Sequence, residues 1–261
     1  MKYFISYKNA QIAYTSTGKG TAVVLLHGFL ENSMMWNKIA KELSKRNRVI
    51  CIDLLGHGKT DCIGYIHSME LMADVVNTVI KHLKIRRIIL VGHSMGGYVA
   101  LAFAEKYHQK VKGLCLMNST SYADTKERNK LRLKANKMIQ TNFNSIVKIS
   151  FTNLFSKQSK KQFKQEISEA LQEALQTTLQ GYMACQEGMR VRPQRFELLK
   201  KSAFKKFFVI GKKDPILNYQ ELLQEAKNTD STYVLLEEGH MSHIENKNQL
   251  TIALLGFVKG C

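Results

Sequence analysis

The chain has 261 residues, 44% of them hydrophobic, and 39 Lys and Arg against 21 Asp and Glu give it a formal net charge of +18. That is enough apolar material for one large domain, or one domain with an insertion; no stretch approaches the roughly 18 uninterrupted apolar residues of a membrane span, and Met1 to Lys8 lacks the apolar run of a signal peptide. The positive charge favours an anionic partner in general, but no basic stretch is interleaved with aromatics for base stacking, so nucleic acid is not an expected partner.

Lys2 to Tyr7 and Ala10 to Thr15 are predicted strands split by a turn at Lys8-Asn9. After the Gly18-Lys19-Gly20 loop, Thr21 to Leu26 is wholly apolar but for its first residue, as expected of a strand buried on both faces of a parallel sheet. It runs into His27-Gly28-Phe29. Asn32 suits the N-cap of a helix reaching about Arg46, with Trp36, Ile39, Ala40 and Leu43 on one face. Arg48 to Leu54 is a strand, and a helix spans about Ser68 to Leu83. A strand at Arg87–Val91 follows, then a buried helix at Gly97–Lys106 and a strand at Val111–Met117.

From about Ser121 to Ser202 the strand–helix alternation stops. Helices are expected over Asp124–Gln140, Phe143–Leu154 and Gln162 to about Glu187, the last with Leu171, Leu175, Thr178, Leu179 and Tyr182 at helical spacing. This segment reads as a helical insertion, and it holds 16 Lys and Arg against seven Asp and Glu, half the chain's excess positive charge. Alternation resumes with a strand at Phe204–Ile210, a helix at Gln220–Lys227, a strand at Ser231–Leu236 and a last helix from about Ile244 to Val258. The order implies a doubly wound α/β sheet with an antiparallel start.

Chemistry concentrates at strand ends. Gly92-His93-Ser94-Met95-Gly96 pins a serine between a strand and a helix. Such a turn drives the serine toward positive φ, lifts its hydroxyl above the sheet and aims the next N–H at a developing oxyanion. Asp214 follows another strand in Gly211-Lys212-Lys213-Asp214-Pro215, and His240 follows the last, in Glu237-Glu238-Gly239-His240. In an open parallel sheet these ends share one edge, where ligands bind. A serine hydroxyl needs an imidazole to take its proton, and the imidazole needs a carboxylate to fix its tautomer. Asp214 is favoured as that partner over two other carboxylates: Asp230 precedes its strand, on the wrong edge, and Asn118-Ser119-Thr120 holds no acid before Asp124.

With His27-Gly28-Phe29, Asp53-Leu54-Leu55-Gly56-His57-Gly58, Gly92 to Gly97, Gly211 to Pro215, and Gly239-His240 followed by Glu245, the chain resembles the α/β-hydrolase fold superfamily, in its helical-cap serine hydrolase and esterase group. The resemblance implies a mostly parallel eight-stranded sheet, a hydrolase core at 1–120 and 203–261, and a helical cap at 121–202 inserted after the sixth strand. It implies Ser94 as nucleophile, His240 as general base and acid, Asp214 as its orienting partner, and an oxyanion hole from the Phe29 and Met95 N–H groups. His27 and His93 are expected to hold the loops around the nucleophile, and Asp53 to shape a neighbouring loop.

The expected activity is cofactor-independent cleavage of a small carboxylic ester, with a small-molecule substrate and no metal. Phe143, Phe151, Leu154 and Phe155 of the cap are candidate acyl-pocket residues. An aspartate nucleophile, as dehalogenases and epoxide hydrolases of this fold use, is absent from the elbow. Carbon–carbon bond hydrolases, thioesterases and a menaquinone-pathway lyase share similar triads, and Arg128, Arg132, Arg190 or Arg192 at the site would favour an anionic substrate. A small-molecule receptor on a hydrolase scaffold is the non-enzyme alternative. Cys51, Cys62, Cys115, Cys185 and Cys261 show no paired spacing and read as free thiols, which points to the cytoplasm.

Overall fold

Eight strands form one sheet in the computed structural model, which describes residues 1–261. They are β1 (Tyr3–Tyr7), β2 (Ala10–Thr17), β3 (Ala22–Leu26), β4 (Arg48–Ile52), β5 (Ile88–His93), β6 (Val111–Met117), β7 (Lys205–Gly211) and β8 (Thr232–Leu236). Their spatial order is β1-β2-β4-β3-β5-β6-β7-β8. Lys8 and Asn9 both adopt positive φ, the backbone a tight hairpin requires, and join β1 to β2. Those strands pair antiparallel, as do β2 and β4; every other pair is parallel. This is the expected doubly wound, mostly parallel sheet.

Period-2 alternation divides the core between the two faces of the sheet. On β3, Val24 and Leu26 pack with α2 (Met69–His82) and α3 (Met95–Lys106), while Val23 and Leu25 pack with α1 (Asn37–Leu43) and, near the chain's end, α12 (Lys247–Gly260). With both faces covered, β3 and β5 carry no exposed residue. The topology also sets the site. β3 crosses over to β4 on one side and its neighbour β5 to β6 on the other, so the crossovers from these two adjacent strands diverge. The loops after β3 and β5 therefore meet at the sheet's carboxyl edge.

The insertion after β6 consists of α4 (Lys126–Ile139), α5 (Phe143–Thr152), α6 (Lys157–Gln162), α7 (Lys164–Ala174), α8 (Leu179–Arg190) and α9 (Phe196–Lys201). Here the structure departs from the expectation of one helix over 162–187. The Thr178 hydroxyl accepts the Gly181 N–H at 3.0 Å and starts a new helix, so Leu171 and Tyr182 lie on different elements. α9 follows Pro193 and was not anticipated. Asn32 caps a short 3-10 turn, Ser33–Trp36, ahead of α1 rather than one continuous helix. Beyond β7, α10 (Tyr219–Asn228) and the single turn α11 (Ser242–Glu245) complete the elements. Arg195 ties the insertion to the core, pairing with Glu105 at 2.8 Å and with Glu70.

Candidate active site

Ser94 leaves β5 with φ +49° and ψ −113°. That conformation costs a non-glycine residue about 1–3 kcal/mol, and surrounding bonds hold it. The Ser94 N–H donates to the Met117 carbonyl at 3.0 Å, and its carbonyl accepts from the Gly97 N–H at 2.9 Å and the Ser119 hydroxyl at 2.8 Å. The turn closes because two residues lack side chains. A Cβ on Gly92 would lie 2.3 Å from the Gly96 carbonyl oxygen, and one on Gly96 would lie 2.3 Å from that of Leu26. The Met95 N–H opens α3, where the first-turn donors have no intrahelical acceptor.

Asp214 and His240 arrive from the ends of β7 and β8. Asp214 Oδ1 accepts the Ile216 and Leu217 N–H groups at 2.7 and 3.0 Å, which fixes the carboxylate plane. Its Oδ2 faces His240 Nδ1 at 2.7 Å and accepts from Asn118 Nδ2 at 3.2 Å. Burial pushes the Asp214 carboxyl up, but the His240 imidazole and the two N–H donors outweigh it and hold the pKa below the usual carboxylate range. Asp214 is thus an acceptor, and His240 Nδ1 carries the proton that it accepts. Asn118, which follows β6 where an alternative acid would stand, donates to Asp214 instead. Asp124 is engaged elsewhere, with Arg132 and Arg192.

The loop after β3 contributes a residue that sequence reasoning missed. Glu31 Oε2 accepts both the Gly28 N–H at 2.7 Å and His93 Nδ1 at 2.6 Å. His93 Nε2 in turn lies 2.9 Å from the His240 carbonyl oxygen. Both His93 nitrogens face acceptors, so the ring holds two protons. Burial disfavours that charge, but the Glu31 carboxylate overrides it and raises the His93 pKa. Burial would raise Glu31, yet His93 and His243 bring it down to about 2. One buried ion pair therefore links the β3 loop, the serine turn and the His240 loop. No local pattern signals it, since Glu31 and His93 are 62 residues apart.

Phe29 sits in the same loop. The N–H groups of Gly28, Leu30 and Glu31 are taken by Glu31 Oε2, His57 Nε2 and the Gly28 carbonyl, leaving the Phe29 N–H without an acceptor in the chain. His27 Nδ1 donates to the Gly28 carbonyl and its Nε2 accepts the Leu54 N–H, the loop-holding role expected of it. Asp53 likewise gathers the Ser33 and Lys59 N–H groups and Lys2.

Ser94 and His240 line one cavity of about 60 Å³ together with Phe29, Leu154, Arg128 and Arg132. Of the four candidate acyl-pocket residues, only Leu154 reaches it. Phe151 and Phe155 pack edge to face within an apolar cluster that the insertion forms with Leu30, Met241 and Ile244, and Phe143 packs against that cluster. Phe151 also borders a larger cavity of about 350 Å³ beyond Leu30, which contains neither Ser94 nor His240. Arg190 pairs with Glu187, away from the cavity. No three His, Cys, Asp or Glu side chains are placed to hold a metal ion, and no helix is long and apolar enough to cross a membrane.

The same fold appears in solved structures. An esterase from Thermogutta terrifontis, solved with malate bound, is 28% identical and superposes with a TM-score of 0.93 over 100% of this chain and 98% of its own. An esterase from Exiguobacterium antarcticum shares the fold at 22% identity and a TM-score of 0.90, covering 99% and 100% of the two chains. An uncharacterized protein of Mycobacterium tuberculosis is 38% identical over 107 residues, 41% of this chain; the match spans about a third (31%) of that relative's length. The model of the alpha/beta hydrolase fold family matches residues 21–247, and with the sheet order and the serine turn it leads to one conclusion: the chain belongs to the alpha/beta hydrolase fold family.

Proposed function

We propose that the protein is a serine hydrolase that cleaves small carboxylic esters through an acyl-enzyme. The observation that carries this reading is the 2.7 Å contact of His240 Nδ1 with Asp214 beside a cavity that Ser94 and His240 both line. His240 Nε2 takes the Ser94 proton as Oγ adds to the ester carbonyl, and Asp214 stabilises the resulting imidazolium. The Phe29 and Met95 N–H groups receive the oxyanion; a single such donor is typically worth about 10²–10³ in rate. His240 then protonates the departing alcohol and activates the water that releases the acid.

The cavity has room for a group of a few heavy atoms, which suits a short acyl chain with Leu154 against it. Residues 121–202 act as a cap over the hydrolase core formed by 1–120 and 203–261. All five cysteines are unpaired, in keeping with work in the reducing cytoplasm. The test is hydrolysis of p-nitrophenyl esters from acetate to decanoate by the wild type and by Ser94→Ala. Turnover confined to the wild type, with a short-chain optimum, is expected. A Ser94→Ala variant that keeps the wild-type rate would sink the mechanism.

A further inference from the structure

Arg128 and Arg132 stand four residues apart on α4, so one helix face presents both to the cavity that Ser94 lines. Their surroundings differ. Arg132 is buried and engaged: Nε meets Asp124, and Nη1 donates to Gln186 Oε1 at 2.7 Å. Asp124 is shared with Arg192, whose Nη1 lies 2.7 Å from the other carboxylate oxygen and whose guanidinium sits 3.8 Å from the centre of the Tyr98 ring. One carboxylate therefore answers two guanidiniums. Arg128 is half-buried, makes no ion pair, and its guanidinium donates no hydrogen bond within the chain. No Asp or Glu lines the cavity. The wall beside the serine thus carries surplus positive charge and an unmatched donor fork.

We propose that Arg128 receives a carboxylate of the substrate, so that the esters preferred by this site carry a second, free carboxylate group. The proposal rests on the ester-hydrolase reading and narrows it to a substrate class. A guanidinium offers two parallel N–H donors whose spacing matches a carboxylate, and in a partly dry wall such a pair is stronger than in water. A neutral ester of the same shape would displace water from Arg128 and leave it unpaired, a cost that selects against that ester. The shared Asp124 leaves the Arg132 and Arg192 pair with net positive charge behind Arg128, and this adds attraction for an anion.

The experiment compares monomethyl glutarate with methyl 5-methylhexanoate, whose isopropyl end matches the carboxylate in shape, and measures glutarate binding by calorimetry. The wild type is expected to favour the charged ester at least about 10-fold in kcat/KM. Arg128→Met should collapse that ratio and weaken glutarate binding by about 10-fold or more, with partial recovery in Arg128→Lys. Lys130→Met, at an exposed position of the same helix, should keep the wild-type ratio. A wild-type ratio at or below one, or glutarate binding indifferent to Arg128→Met, would overturn the proposal. A fluorophosphonate probe on Ser94 separates the two readings. If the serine is unlabelled and neither ester is cleaved, the ester-hydrolase reading fails, while Arg128-dependent glutarate binding upholds the anion site and its absence overturns that as well.

Discussion

A single oxygen atom carries much of the site's order. Glu31 Oε2 accepts from the Gly28 N–H and from His93 at once, and His93 passes the constraint to the His240 backbone. Glutamine keeps the shape of this carboxylate but removes its charge. With its oxygen in place of Oε2, His93 holds one proton and no longer donates from both nitrogens, so the contact with the His240 carbonyl becomes a meeting of two acceptors. Glu31→Gln should therefore lower kcat by about 10²-fold, as expected for a catalytic group displaced by ~1 Å, with a smaller effect on KM. Steady-state kinetics on a p-nitrophenyl ester, with a melting curve to confirm folding, would check it; an unchanged kcat would show that the ion pair does not position His240.

At the level of elements, strands and the turns that leave them were legible in the sequence. The β3 and β5 runs are apolar because both faces are covered, and Ser94, Asp214 and His240 each follow a strand whose end lies on one edge. The insertion was less legible. Leu171, Leu175 and Tyr182 keep a helical spacing across a break, and a threonine at a helical position looks the same in sequence whether it continues a helix or starts one. Thr178→Ala resolves the two by sign. In one continuous helix alanine would stabilise, having the higher propensity; at an N-cap it costs about 1 kcal/mol. Urea denaturation should show the loss, and Thr178→Asp, which can also cap, should avoid most of it. The acyl-pocket residues were illegible for a related reason. An apolar face on the insertion serves equally to pack neighbouring helices, as Phe151 and Phe155 do, or to line a cavity, as Leu154 does.

Over the whole molecule, buried histidines set the response to acid. Unfolded, a histidine takes up its proton near pH 6.5. Folded, burial pushes His57 down to about 3 and His67 and His243 to about 4, and it lowers His27 as well. Between those values the unfolded chain binds more protons, so stability falls as the pH falls. His93 opposes this: its raised pKa contributes stability that is full below about pH 6.5 and is lost as the pH rises through the folded value. The Glu225 and Glu245 carboxyls, raised by burial, oppose the fall as well; the four lowered histidines outnumber these three groups, and the melting temperature is expected to drop from pH 7 to pH 4.5. A flat profile over that range would contradict the assignment of neutral, buried rings. The place where the insertion joins the sheet has a different kind of consequence. β6 and β7 run parallel, so the chain must cross from the end of β6 back to the start of β7, and α9 lies on that crossover; before it, the Arg195 N–H donates to the Ser121 carbonyl at 2.7 Å, so most of the insertion departs and returns at one point. To this crossover, the segment from Ser121 to Arg195 is a single closed loop, and the entropy of closing a loop rises only slowly with its length. Insertions of other lengths and shapes can be exchanged at this junction over a long lineage without disturbing a strand pairing or the serine turn, so the chemistry can be inherited while the choice of substrate is rewritten.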